Sequence, residues 1–248
     1  MKHANSLMND PRTRVKQFLF VTGAALTGVL VFPGLPARAD AESWNALEIR
    51  IPSVSREKWE PVSLRVVTSS RFGLRYPGLG VSNLRVGPLW QVAPWMLLGL
   101  HGSAYAEQIE PGHFRQMLRL EAEPNLQASW GNWQFNDRNR IEWRYTPTDA
   151  WWRYRNQLRA TYQPSGWQWW PTVSQEFAWD LRPWLMAQSR LTLGVSRILN
   201  RSTRLTLEYL WRGRPEQNEW ATDHIANVTL FFAPDINSVK GGSHAGGE

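Results

Sequence analysis

Apolar and polar residues alternate with a period of two along most of the chain after residue 40, and no segment from 40 to 232 sustains the 3.6-residue period of an amphipathic helix. In "RNRIEWRYTP", residues 138–147, Arg138, Arg140, Glu142 and Arg144 alternate with Ile141, Trp143 and Tyr145. Successive side chains of a strand point to opposite faces, so this strand has one charged face and one apolar face. The design recurs. Leu118, Leu120 and Ala122 oppose Arg119, Glu121 and Glu123; Trp152, Tyr154, Leu158 and Ala160 oppose Arg153, Arg155, Gln157 and Arg159; Leu205, Leu207, Tyr209 and Trp211 oppose Arg204, Thr206, Glu208 and Arg212.

The pattern predicts strands at about 43–51, 62–69, 81–91, 94–107, 113–123, 125–131, 133–145, 152–163, 171–182, 188–199, 203–213 and 221–232, with the alternation weakest in the first four. "WGNW" at 130–133 carries a Gly-Asn pair suited to a tight hairpin, and "LNRST" at 199–203 joins two strong strands. Longer connections are expected at 145–151, 182–188 and 213–221, alternating with short ones; "QPSGWQWWP" at 163–171 breaks that alternation. No Pro/Gly/Ser-rich linker divides the region, so 40–232 reads as one domain, and the polar, Gly-rich 233–248 reads as a disordered tail.

Residues 1–39 have the layout of an export signal. Basic residues at Lys2, Arg12, Arg14 and Lys16 precede the apolar run "FLFVTGAALTGVLVF", and "PARA" places small residues at Ala37 and Ala39, predicting cleavage after Ala39. The run is about 15 residues, short of the roughly 20 that a spanning helix needs. No other stretch is long and apolar enough for such a helix, and the mean hydropathy is -0.45.

Two folds accommodate the strand pattern. A soluble antiparallel sandwich turns the Trp/Leu/Tyr face inward, whereas a transmembrane barrel turns it outward to lipid and the charges toward a polar lumen. Strands of 10 to 12 residues match the roughly 9 to 11 needed to cross a bilayer at a tilt and exceed the usual soluble length of about 5 or 6. Trp130, Trp133, Tyr145, Trp151, Trp152, Tyr162 and Trp211 fall near strand ends, where interfacial aromatic girdles lie. The last strand, "DHIANVTLFF", alternates Ala226, Val228, Leu230 and Phe232 and ends on an aromatic like the terminal strand read by outer-membrane assembly machinery. The expected fold is therefore all-β, an antiparallel transmembrane β-barrel of roughly 10 to 12 strands, with the β-sandwich as the alternative.

Composition narrows the chemistry. Cysteine is absent, so disulfides, thiol catalysis and a lipidated cysteine are all excluded. The formal charge of +7 falls to +3 once the five basic residues and one acid of the signal are removed, too little to argue for nucleic acid. After the signal the only lysines are Lys58 and Lys240, and every other cation with a fixed charge is an arginine. Arginine suits planar, bidentate pairing in confined sites, as a crowded lumen of paired charges requires.

"FNDRNRIEWRY", "WWRYRNQLRATYQP", "SRLTLGVSRILNRSTRLTLEYLWRG" and "HIANVTLFF" resemble the uncharacterised outer-membrane barrels known as domain of unknown function 2490. The resemblance runs from about Trp44 to Phe232 and implies a β-barrel in the outer membrane of a Gram-negative-type cell. It supplies no activity and no functional residue.

The candidate site is the lumen charge cluster: Arg138, Arg140, Glu142, Arg144, Arg153, Arg155, Arg159, Glu176, Arg204 and Glu208. With Arg115, Arg119, Arg182 and Arg212 against Glu121, Glu123 and Asp180, the proposed lumen faces from 113 to 212 carry eleven arginines and six acids. Opposite charges on neighbouring strands pair across the wall, and surplus positive charge in a water-filled pore favours small anions. His101 and Ser103 share a face in "LHGSAY" as a hydrolase pair would, but i and i+2 positions lie about 7 Å apart, too far for a direct hydrogen bond. Glu121 and Glu123 resemble paired catalytic carboxylates, yet neighbouring arginines would keep both ionised. No cofactor, metal or nucleic-acid motif stands out. The function expected is a monomeric outer-membrane barrel, not an enzyme, acting as a structural protein or passive small-solute pore and contacting membrane lipid and the assembly machinery. A lipid-modifying enzyme and a soluble periplasmic binding protein are the alternatives.

Overall fold

The computed structural model describes residues 39–52, 62–73, 79–182, 184–216 and 219–233. The expected export signal at 1–39, but for Ala39, and the expected tail at 233–248, but for Ala233, lie outside the described residues. Eleven strands follow in order: β1 (Ala39–Pro52), β2 (Ser63–Gly73), β3 (Leu79–Ala93), β4 (Met96–Glu110), β5 (His113–Trp130), β6 (Trp133–Thr146), β7 (Asp149–Tyr162), β8 (Trp169–Leu181), β9 (Trp184–Asn200), β10 (Thr203–Glu216) and β11 (Glu219–Phe232). Each pairs antiparallel with its sequence neighbours, and β1 closes on β11 to complete a barrel. Among the described residues no helix is long and apolar enough to cross a membrane.

The closing pair is parallel, from Ala39 opposite Thr222 to Ile49 opposite Phe232, and so departs from the all-antiparallel expectation. An odd number of strands makes this unavoidable, because the first and last then run the same way. Ala39 and Phe232 consequently lie at opposite rims, which serve below to name the two ends.

The expected strands at 113–123 and 125–131 are one strand, β5. Pro124 lacks an N–H, yet the ladder to β6 passes from the Ala122–Ile141 pair to the Asn125–Arg138 pair in unchanged register, skipping only Glu123 and Pro124. The expected long connections also contract. β6 and β7 are joined by Pro147 and Thr148 alone, and β8 runs to Leu181 before β9 begins at Trp184. Between β5 and β6 the Gly-Asn turn forms as expected, Gly131 supplying a φ of 55°.

Alternation decides which face is covered, and the outcome is inverted relative to a sandwich. Leu118 and Leu120 are 57% and 60% exposed, while Arg119 between them and Glu121 beyond are 9% and 3% exposed and Glu142 is fully buried. The outer wall carries an aliphatic band that includes Leu84, Leu100, Leu120, Ile141, Leu193 and Leu207. Exposed aromatics flank it. Trp130, Trp133, Trp167, Trp169 and Phe232 lie toward the Phe232 rim, and Phe72, Phe114, Tyr145, Trp152 and Trp184 toward the Ala39 rim. From Trp133 to Tyr145, strand rise and a tilt of about 45° give a height of roughly 28 Å. Among the described residues the buried apolar side chains are few, Trp44, Leu89, Met117, Ala178, Leu210 and Ile225, and only Trp44, Leu210 and Ile225 on β1, β10 and β11 join in a cluster.

Glycine sets the approach of the strands where large side chains would collide. A Cβ on Gly87 of β3 would lie 1.9 Å from the Leu100 carbonyl oxygen and 2.7 Å from the His101 Cα, both backbone atoms of β4. Gly102, on the outer face, has nothing within 4 Å of its Cβ position. Gly87→Ala should therefore lower the urea midpoint of the refolded barrel, a loss on the order of 2 kcal/mol, because the backbone itself must move. Gly102→Ala should leave the midpoint within about 0.5 kcal/mol of wild type.

Candidate functional site: the ionic interior

The inward positions of β5 to β8 follow directly from the alternation, and they hold most of the predicted cluster. Glu142 on β6 is the most enclosed. It accepts from Arg144 on the same strand at 2.8 Å (Nε) and from Arg140 Nη1 at 3.3 Å, and pairs with Arg155 of β7 at 3.1 Å. Glu123 on β5 accepts from Arg140 Nη2 at 2.6 Å, Arg65 Nη1 at 2.8 Å and Arg85 Nη1 at 3.3 Å. Arg65 belongs to β2, separated from β5 along the wall by β3 and β4, so this pair reaches across the interior. Glu176 on β8 pairs with Arg190 at 3.1 Å, Arg138 at 3.2 Å and Arg155 at 3.5 Å. Arg65 also meets Glu48 of β1 at 2.8 Å.

These contacts join into one path, Glu48–Arg65–Glu123–Arg140–Glu142–Arg155–Glu176–Arg190, which links β1, β2, β5, β6, β7, β8 and β9. Its members are shielded from solvent: Arg140, Glu142 and Glu123 are 6%, 0% and 2% exposed, so these side chains pack against one another. Desolvating so many charges is costly, and the cost is offset only where each carboxylate meets several guanidinium donors in good geometry.

The other predicted residues form separate groups. Arg153 pairs with Asp180 of β8 through Nε at 2.5 Å and Nη2 at 2.8 Å. Arg159 Nη2 donates to Glu208 Oε1 at 2.8 Å, and Asn227 Nδ2 to Glu208 Oε2 at 2.6 Å. Arg204 lies over the Phe231 ring at 4.8 Å, beside Arg50 at 5.1 Å from the same ring. Arg182 occupies the turn between β8 and β9 and not the inward wall. Arg212 pairs with Asp223 at 2.7 Å and Glu42 at 2.6 Å.

His101 and Ser103 share an inward face of β4, but they do not form a nucleophile–base pair. Ser103 Oγ donates to Glu121 Oε1 at 2.7 Å, and neither ring nitrogen of His101 has a hydrogen-bond partner. The ring fits because residue 99 is glycine: a Cβ there would lie 2.3 Å from His101 Cε1. His101, Glu121 and Glu123 bring one ligand atom each within 4.8 Å of one another, the donor types of a metal site. All four carboxylate oxygens, however, already accept from Arg65, Arg85, Arg140 or Ser103, so a cation would have to displace guanidinium groups. The site fits a metal poorly.

Glu48, Arg65, Arg85 and Arg190 belong to the network and were not among the predicted cluster. Their strands mix charge with small or apolar inward residues, such as Val67, Gly87 and Gly194, so the charge alternation there is diluted.

The profile of one family matches residues 42–223, a family described as "Protein of unknown function (DUF2490)". The chain belongs to the DUF2490 family. The match covers the strands that build the ionic interior, apart from the end of β11, and the family description assigns no activity to them. Comparison with curated proteins gives no match. What this DUF2490 barrel does must therefore be argued from its own chemistry.

Removing one member of the buried network strands the others. Glu142→Gln should destabilise the barrel by about 3–5 kcal/mol, because Arg140, Arg144 and Arg155 lose their shared counter-charge. Glu107→Gln, whose partner Arg115 is 46% exposed, should change stability by less than about 1 kcal/mol. Urea unfolding followed by tryptophan fluorescence checks both.

Proposed function

We propose that this protein is an outer-membrane β-barrel with a structural role, its lumen sealed by the ionic network. The observation that carries the reading is the inverted burial: large apolar side chains cover the outside while carboxylates and guanidiniums fill the inside. In water this arrangement would expose an apolar belt around the whole molecule, far larger than the patch a soluble monomer tolerates. A groove on the outer wall between Leu100, Leu120, Ile141, Trp143 and Trp152 continues the belt across β4 to β7. Acyl chains suit such a surface, and the two aromatic girdles suit the headgroup level on either side.

Several further assignments rest on this reading. The chain is exported by a cleaved signal, inserts as a monomer, and uses β11, whose Val228, Leu230 and Phe232 face outward, as the strand that assembly machinery recognises. No catalytic step is assigned to it. His101 and Ser103, the residues that a lipid hydrolase would need, lie inside the wall, away from any acyl chain.

Passive passage of small anions is the second reading, favoured by the excess of arginine over acid on the inward faces. It needs the waist to open, since Glu142 and its arginines fill it.

Two measurements test these readings. Full-length protein should be recovered in the outer-membrane fraction and should migrate faster in gels before boiling than after; recovery as a soluble periplasmic protein would sink the proposal. In planar bilayers the folded barrel should give no steady open-pore current, and anion-selective steps in its place would favour the second reading.

A further inference from the structure

Three guanidinium groups crowd one buried indole in the half of the interior nearer the Ala39 rim. Arg71, Arg190 and Arg212 lie 4.0, 5.0 and 5.5 Å from the centroid of the Trp44 ring, and Trp44 is 8% exposed. Arg212 is answered by Asp223 and Glu42, but the only carboxylate on Arg190 among the described residues is Glu176, which also serves Arg138 and Arg155. Electrostatic repulsion links Arg71 to both Arg212 and Arg119, and Arg190 to Arg71 and Arg212; Glu42, already paired with Arg212, offsets part of it at Arg71. Arg119 is 9% exposed, lies over the Tyr105 ring at 3.4 Å and donates through Nε to Met117 Sδ at 3.2 Å; Glu142 and Glu121 attract it only from a distance, and among the described residues it forms no ion pair.

Unused donors coincide with this surplus of charge. Gln188 and Arg190 occupy successive inward positions of β9, each 9% exposed, and Gln188 Nε2 and Arg190 Nε are buried with no acceptor among the described residues. A buried N–H left unpaired is destabilising by about 1–3 kcal/mol, more when charged. The compartment thus holds too many donors and too much positive charge for the acceptors around it. Arg71 and Tyr105, toward the Ala39 rim, are only partly buried.

We propose that this compartment binds a small oxyanion of the phosphate or phosphomonoester class, held by Gln188 Nε2 and Arg190 against Trp44, with Arg71 and Arg119 supplying further charge. An oxyanion offers several acceptors in one compact group, and guanidinium binds such groups bidentately. The site lies within the wall of the barrel, so the inference does not depend on where the barrel resides.

The test is titration calorimetry of the full chain, refolded in detergent micelles, with inorganic phosphate at constant ionic strength. Wild type should show saturable one-to-one binding. Gln188→Met and Arg119→Gln should each weaken it about tenfold or more, Arg119→Lys should retain most of it, and Arg115→Gln, at the rim, should leave it unchanged. Folding is verified by heat-modifiable gel mobility, and if Gln188→Met does not fold, the Arg119 pair decides. Absence of saturable heat with folded wild type overturns the proposal. So does unchanged affinity in Arg119→Gln, or equal weakening by Arg115→Gln, which would mean diffuse attraction and no site. Failure here leaves the membrane reading intact, whereas recovery as a soluble protein would not alter the calorimetric result.

Discussion

Everything in this barrel depends on carboxylates that never meet water. Glu142 is fully buried and Glu123 nearly so, and each is held by arginines from more than one strand. In a low-dielectric interior an unpaired charge is far more costly than a missing methyl group, so each carboxylate fixes where its partners must stand. Conventional cores specify a fold by shape. Here the matching of charge across β2, β5, β6, β7 and β8 does the specifying, and the apolar cluster at Trp44, Leu210 and Ile225 is small beside it.

Charge matching also explains the choice of cation. A lysine offers one compact charge, whereas Arg140 reaches Glu121, Glu123 and Glu142 at once through the separate nitrogens of its planar group. One side chain thereby joins two strands and three acids. Glycines play the complementary part: at Gly87, Gly99 and Gly194 the missing side chain leaves room for backbone, for His101 and for Glu208. Space inside a narrow barrel is limited, and large charged groups fit only where neighbours are reduced to nothing.

Much of this was legible from the residues alone. Strict alternation in β5 to β7 and β10 identifies the inward face residue by residue, because in a strand one parity of position decides everything. The partnerships were not legible. Arg65 and Glu123 are 58 positions apart and lie on strands that do not touch, so their meeting depends on how the wall curves, not on any local pattern. The first four strands were weak for a different reason: β1 and β3, for example, carry Trp44, Ala46, Gly87 and Leu89 inward, and apolar residues on both faces erase the signal. Eleven strands fall within the expected 10 to 12, and the one false division came at Pro124, where a residue known for ending strands merely interrupts the hydrogen bonding on one side.

The parallel seam between β1 and β11 carries a kinetic consequence. Every other ladder joins neighbours in the chain and is started by its own connection, whereas Ala39 meets Thr222 only after the whole intervening chain has been placed. Loop-closure entropy makes such a pairing the slowest to nucleate, and parallel ladders are slightly weaker per residue than antiparallel ones. The barrel's last ladder to form and its easiest to part are therefore one and the same: closure of the chain's two ends makes it distant, and the odd number of strands makes it parallel.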